Sequence, residues 1–294
     1  MAGLCAGLSV GAAGGVWGAP ATDALRASIG APACFGSMAG HPLSKPVVGV
    51  AATPDGQGYW LVASDGGIFT FGDAKFFGST GAIALNKPIV GMAPTPDGQG
   101  YWLVAADGGI FTFGDATFYG STGSLTLNKP IVGMAPTPDG KGYWLVASDG
   151  GIFTFGDAGF FGSTGAIKLN QPVFGMAATP DGQGYWLAAA DAGIFTFGDA
   201  RYLGGGPFSE DGDPTITDFS SFAASTDGGG YLIADASGAF LLNFGDAPYY
   251  GLGYTPGNYS PVVGLTSPVV NSGYWEAKRD GSVYSLTPSA QTAC

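Results

Sequence analysis

Histidine occurs once in this chain, at His41, glutamate only twice, at Glu210 and Glu276, and cysteine three times, at Cys5, Cys34 and Cys294. Each scarcity closes off a chemistry. A Ser-His-Asp hydrolase would have to recruit His41 from the loop "AGHPLS", and no GxSxG nucleophile elbow exists anywhere in the chain. No spacing of His and Cys fits a zinc site, and the "GGG" at Gly204 to Gly206 lacks the Lys and Ser/Thr of a phosphate-binding loop. Charge is sparse as well, at 11% of residues, and one-sided: a net charge of -12 repels phosphate backbones and argues against nucleic acid. No apolar run approaches the roughly 20 residues a membrane helix needs, so insertion into a bilayer is not expected.

What the chain has in excess is glycine, 54 residues of it, together with 20 prolines and a hydrophobic fraction of 46%. That combination predicts a turn-rich, all-β protein and excludes a helical solenoid. The stretch "PVVGVAATPDGQGYWLVASDGGIFTFGDAKFFGSTGAIALNK" runs from Pro46 to Lys87, and close copies start at Pro88 and Pro130, a period of 42 residues. A fourth copy starts at Pro172 and loses register after Arg201, a fifth begins near Phe219, and a sixth begins at Pro261 and stops after its third segment. Within each unit, short β-like segments such as "VVGVAAT", "YWLVA", "IFTF" and "FFGS" are separated by Asp-Gly turns, where glycine accepts the positive φ of a tight hairpin. Four antiparallel strands per 42 residues is the pattern of a propeller blade. A second strand that is apolar on both faces suits a sheet packed between two neighbours.

The ends of the chain fit the same scheme. "CFGSMAGHPLSKP" from Cys34 aligns with "FFGSTGAIALNKP" from Phe76, so it reads as a lone fourth strand, the segment that the sixth unit lacks. The expectation is a six-bladed β-propeller over residues 34–294, closed by one N-terminal strand plus three C-terminal strands. Cys294 would then end near Cys34, giving either a disulfide across the closure or two free thiols at adjacent ends. Residues 1–33 carry no repeat and stay uncharged up to Asp23. They read as a signal-like leader and linker with a small-residue cleavage site at Ala19, Pro20 and Ala21, though without the usual basic start. Cys5 would leave with the leader, and its surroundings are not those of a lipid-anchor site. Export to the medium or the cell surface is expected.

The unit "TPDGQGYWLVASDGGIFTFGDA" resembles the repeat of secreted actinobacterial β-propeller proteins and, more loosely, the "SPDG" blades of NHL and YVTN-type propellers. The resemblance covers residues 34–294 and implies the fold without implying one activity. Such repeats are attached to varied extracellular proteins, some labelled esterases or amidases, whose catalytic motifs are not visible here.

Several residues are candidates for function, each with a structural alternative. The aromatic pairs Phe76-Phe77, Phe118-Tyr119 and Phe160-Phe161 recur at the outer segment, and Phe76, Phe118 and Phe160 could stack sugars. The recurrent Trp60, Trp102, Trp144, Trp186 and Trp275 read as core between blades. Turn aspartates such as Asp55, Asp65 and Asp73 could ring calcium or simply cap their turns; the irregular "SEDGDPTITD" could bring Glu210, Asp211, Asp213 and Asp218 around calcium or remain a solvated acidic loop. In the last two units Asp235, Glu276 and Lys278 replace apolar residues, and Arg279 and His41 lie near the closure. These five form either a polar ligand or docking patch or an ion-pair network. Asp235 and Arg279 would meet only if the handedness of the ring brings their faces together. The function expected is a non-enzymatic, multivalent scaffold or binding module for a glycan or protein surface. The alternative is a polysaccharide hydrolase or lyase with carboxylates in the axial mouth.

Overall fold

Short runs of Val, Ile, Tyr, Trp and Phe, each stopped by Asp-Gly or Gly-Asp, become strands in the computed structural model, which describes residues 32–206, 218–253, 257, 259–266 and 273–294. Most of the signal-like leader, residues 1–31, lies outside the described residues, as do Glu210, Asp211 and Asp213. The strands form six antiparallel sheets. Sheet one contains β1 (Val47–Ala52), β2 (Gly58–Ala63) and β3 (Ile68–Gly72). Sheet two contains β4 (Ile89–Pro94), β5 (Gly100–Ala105) and β6 (Ile110–Gly114). Sheet three contains β7 (Ile131–Pro136), β8 (Gly142–Ala147) and β9 (Ile152–Gly156), and sheet four β10 (Val173–Ala178), β11 (Gly184–Ala189) and β12 (Ile194–Gly198). Sheet five contains β13 (Phe219–Ala224), β14 (Gly230–Asp235) and β15 (Leu241–Gly245). Sheet six contains β16 (Val262–Thr266), β17 (Tyr274–Lys278), β18 (Val283–Leu286) and β19 (Gln291–Ala293).

The middle strand of each sheet is buried on both faces, which is why it can be apolar at every position. Trp60 and Val62 of sheet one pack against Tyr101 and Leu103 of sheet two, with the Trp60 and Tyr101 rings 6.0 Å apart in an edge-on contact. The same Trp-to-Tyr interlock joins sheets two to three and three to four. Related clusters join four to five and five to six, and a sixth sets Trp275 and Ala277 against Tyr59 and Leu61. First strands neighbour one another in the same order, β1 on β4, β4 on β7, β7 on β10, β10 on β13, β13 on β16 and β16 on β1. No single ladder runs around the molecule; the sheets are held to one another by side chains. Close approach at the centre requires glycine: a Cβ on Gly264 would lie 2.8 Å from Val50 Cγ1.

Two expectations need correction. The fourth segment of a repeat does not join the ladder in sheets one to five. Instead it leans over the next sheet, where Tyr101 Oη accepts the N–H groups of Phe77 and Gly78, both at 3.1 Å, and donates to Gly78 O at 2.6 Å. Trp60 Nε1 donates to Lys75 O at 2.8 Å, so side chains of two different sheets satisfy this backbone. Gly78 makes the departure possible, since it sits at φ +140° against the Phe113 ring, where any Cβ would collide.

The closing strand also differs from the expectation. The outer ladder of sheet six is taken by the chain's own end, β19, with Tyr284 opposite Ala293, and not by the N-terminal segment. The N-terminal segment instead reproduces the side-chain scheme of the other fourth segments: Trp275 Nε1 donates to Ala33 O at 2.9 Å and Tyr59 Oη donates to Gly36 O. Cys34 and Cys294 form a disulfide, with Cα atoms 5.2 Å apart.

Candidate functional site

Asp55, in the β1–β2 turn, accepts hydrogen bonds from the Thr53 hydroxyl at 2.8 Å and the Gln57 N–H at 3.1 Å. Asp73, in the turn after β3, comes beside it because both turns lie at the same end of the sheet, with Gly58 opposite Gly72. Burial pushes Asp55 up, but its hydrogen bonds outweigh that and hold it below the usual carboxylate range. Asp73 is raised, by burial first and then by the negative Asp55. Sheet two repeats this with Thr95 bridging Asp97 at 2.9 Å and Asp115 at 3.1 Å, the first lowered and the second raised. Asp181 and Asp199 repeat it in sheet four. In sheet three burial opposes the Lys141 amide and ammonium, which win and hold Asp139 at about 2; the Lys141–Asp139 ion pair spans 3.0 Å.

Between these turns lie clefts that join one sheet to the next. One, of about 250 Å³, is lined by Thr95, Asp97, Asp115 and Thr117 of sheet two and Asp139 of sheet three. Its counterpart one sheet on, of about 410 Å³, is lined by Thr137, Asp139 and Asp157 with Asp181 and Gln183. Thr117 directly precedes Phe118, so a cleft rich in hydrogen-bond acceptors borders the aromatic rim.

At that rim the two members of each aromatic pair have different fates. The second packs inward, as Phe77 does on Tyr101 with ring centroids 5.7 Å apart. The first stands in solvent: Phe76 is 60% exposed, Phe118 57% and Phe160 62%, and Tyr202 and Tyr249 join them at 60% each. Sequence reasoning named Phe76, Phe118 and Phe160 but missed Tyr202 and Tyr249. Their signal was present in "RYLG" and "PYYG", which align with "KFFG". Cys34 holds the equivalent place before Phe35.

The remaining candidates do not converge. Asp235 is buried and caps its own hairpin, accepting from Ser237 Oγ, Ala239 N at 3.0 Å and Phe240 N at 2.8 Å. Glu276 and Lys278 are buried on the face of β17 that meets sheet five, whereas Arg279 is exposed on the opposite parity, toward sheet one. Asp235 belongs to the Tyr231 face, which meets sheet four, so Asp235 and Arg279 point apart and the pairing considered from the sequence does not form. His41 is exposed in the turn His41 N to Met38 O. Asp218 is exposed just before β13. Asp65, Asp107, Asp149 and Asp191 each cap a β2–β3-type turn through the second N–H that follows. Among the described residues no group of three or more His, Cys, Asp or Glu could hold a metal ion. The axial cavity, about 150 Å³, is lined by residues such as Gly49, Val50, Met92, Phe174, Ser221 and Leu265, with no carboxylate among its lining residues.

This architecture is that of a β-propeller. The chain is similar to the β-propeller domain of Cps50 (Swd1) from Myceliophteria thermophila, with a TM-score of 0.50 and 11% identity over 82% of this chain and 83% of that one. It is also similar to a protein of unknown function from Bacteroides thetaiotaomicron, with a TM-score of 0.52 and 14% identity over 86% of this chain and 71% of the other. At these identities the likeness concerns the fold alone. No protein-family model and no curated protein sequence matches the chain.

Proposed function

We propose that this chain is a six-bladed β-propeller, closed by its disulfide-linked ends, that works outside the cell as a non-enzymatic module binding a repetitive glycan through several equivalent sites. The observation that carries this reading is the rim: five large aromatic side chains, one on each of five blades, are about 60% exposed and take no part in the core. An aromatic face stacks on the C–H face of a sugar ring, and the neighbouring carboxylates accept hydrogen bonds from its hydroxyls. Repetition favours a polymer, because linked weak sites gain avidity when the ligand's own repeat can span them. A Cys34–Cys294 disulfide suits an oxidising compartment, and among the described residues no helix is long and apolar enough to cross a membrane. The hydrolase alternative receives no support from the axial cavity, whose lining offers no pair of carboxylates. A glycan array of matched oligosaccharides and polysaccharides tests the reading. Retention that rises steeply with chain length is expected, and tight length-independent binding of a protein or small metabolite would reject it.

A further inference from the structure

Glu276 stands on the middle strand of the last blade where the first four repeats have Leu61, Leu103, Leu145 and Leu187 and the fifth has Ile233. It is completely buried, on the face of β17 whose Tyr274 packs with Leu232, Ala234 and Leu241 of the preceding blade. Oε2 accepts the Gly253 N–H at 2.8 Å, while Oε1 has no hydrogen-bond partner among the described residues. Lys278, two residues on and also buried, directs its ammonium to the Tyr284 ring, 5.0 Å from the centroid, and makes no ion pair within 4 Å among the described residues. Asp235, on the opposite face of the preceding blade's middle strand, acts on it only through its charge. Tyr250, Tyr274 and Tyr284 complete the titratable groups around Glu276 among the described residues.

We propose that Glu276 makes the contact between the last two blades a proton-dependent joint, closed when its carboxyl is protonated and loosened when it ionises. A neutral carboxyl leaves one half-bonded polar group in an apolar seam. An ionised one leaves a bare charged oxygen there, which must be rehydrated or re-paired, and either requires the blades to part near Gly253. Burial pushes this carboxyl up, Gly253 and Lys278 pull it partly back and Asp235 adds to the push, which together leave it raised to about 7. The folded state therefore binds the proton more tightly than the unfolded chain. The resulting stabilisation is complete below about pH 4.5 and is lost as pH rises through about 7.

Denaturant titrations of the intact protein and of Glu276→Gln, at pH 5 and pH 8.5, test this together with hydrogen exchange at the Gly253 amide. The wild type should lose on the order of a hundredfold in its folded-to-unfolded ratio relative to Glu276→Gln over that interval. The protection of Gly253 should fall in step. Glu276→Leu restores the residue of the first four blades and should share the pH profile of glutamine, so it carries the comparison if Glu276→Gln does not fold. Parallel pH profiles for wild type and variant, or a wild type that gains on the variant toward alkaline pH, overturn the proposal.

Discussion

Tyr101 shows how much a single hydroxyl carries in this fold. Its oxygen accepts two N–H groups and donates to one carbonyl of a segment that belongs to the preceding blade. Replacing it by phenylalanine keeps the ring contacts with Trp60, Phe77 and Phe113 but strands those backbone groups. Tyr101→Phe should therefore cost about 1–3 kcal/mol in urea unfolding, the range for buried groups left unpaired. A loss under a few tenths would mean water replaces the hydroxyl freely. The carboxylate pairs give a second residue-scale prediction with a defined sign. Asp115 is raised in the folded protein, so its contribution is fully present below its unfolded value and is lost as pH rises through the folded one. Asp115→Asn should raise the melting temperature at pH 7 and lose that advantage by pH 3. Asp97, lowered by its bonds to Gln99 and Thr95, behaves oppositely, and its loss should hurt most near neutrality. Equal effects of the two substitutions at pH 7 would show that the pair does not divide its roles this way.

Among the elements, the fourth segments decide how blades are joined. In sheet six the strand β19 adds a ladder that the other sheets lack, and the Cys34–Cys294 disulfide ties it to the N-terminal segment across 260 residues of chain. Cys34→Ser with Cys294→Ser should lower stability by about 2–5 kcal/mol, since the cross-link closes a very long loop of the unfolded chain. Unchanged chemical denaturation under oxidising and reducing conditions would contradict that. Three strands per unit were legible in the sequence because "VVGVAA", "GYWLVA" and "IFTFG" alternate with Asp-Gly turns. The fourth segment was misread as a strand because "FFGS" has strand-forming residues, and pattern alone does not reveal that Tyr101 and Trp60 will satisfy its backbone. The stretch from Cys34 was aligned with that segment, and as in the other copies the Tyr59 and Trp275 side chains bond its backbone at Gly36 and just before it at Ala33. The exposure of Phe76 beside the burial of Phe77 was equally hidden: both are aromatic, and only the direction of the turn separates them. Asp235 and Arg279 could not be placed because the hand of the stack, with each Trp face on the next Tyr face, is a property of packing.

At the scale of the molecule, one interlock used repeatedly sets successive sheets side by side, with an exposed aromatic at the same place on five of them. On the proposed reading no blade needs to bind tightly for the whole to hold a polymer. Exposed aromatics contribute little to folding, so they can be removed without collapse. The most direct test is to replace Phe76, Phe118, Phe160, Tyr202 and Tyr249 by alanine one after another in the intact protein. Retention on an insoluble polysaccharide is measured at each stage alongside the melting temperature. A progressive, multiplicative loss of retention with each aromatic removed, whichever is removed first, is expected, together with a nearly constant melting temperature. Loss of all binding on one particular substitution, or undiminished retention after all five, would contradict it.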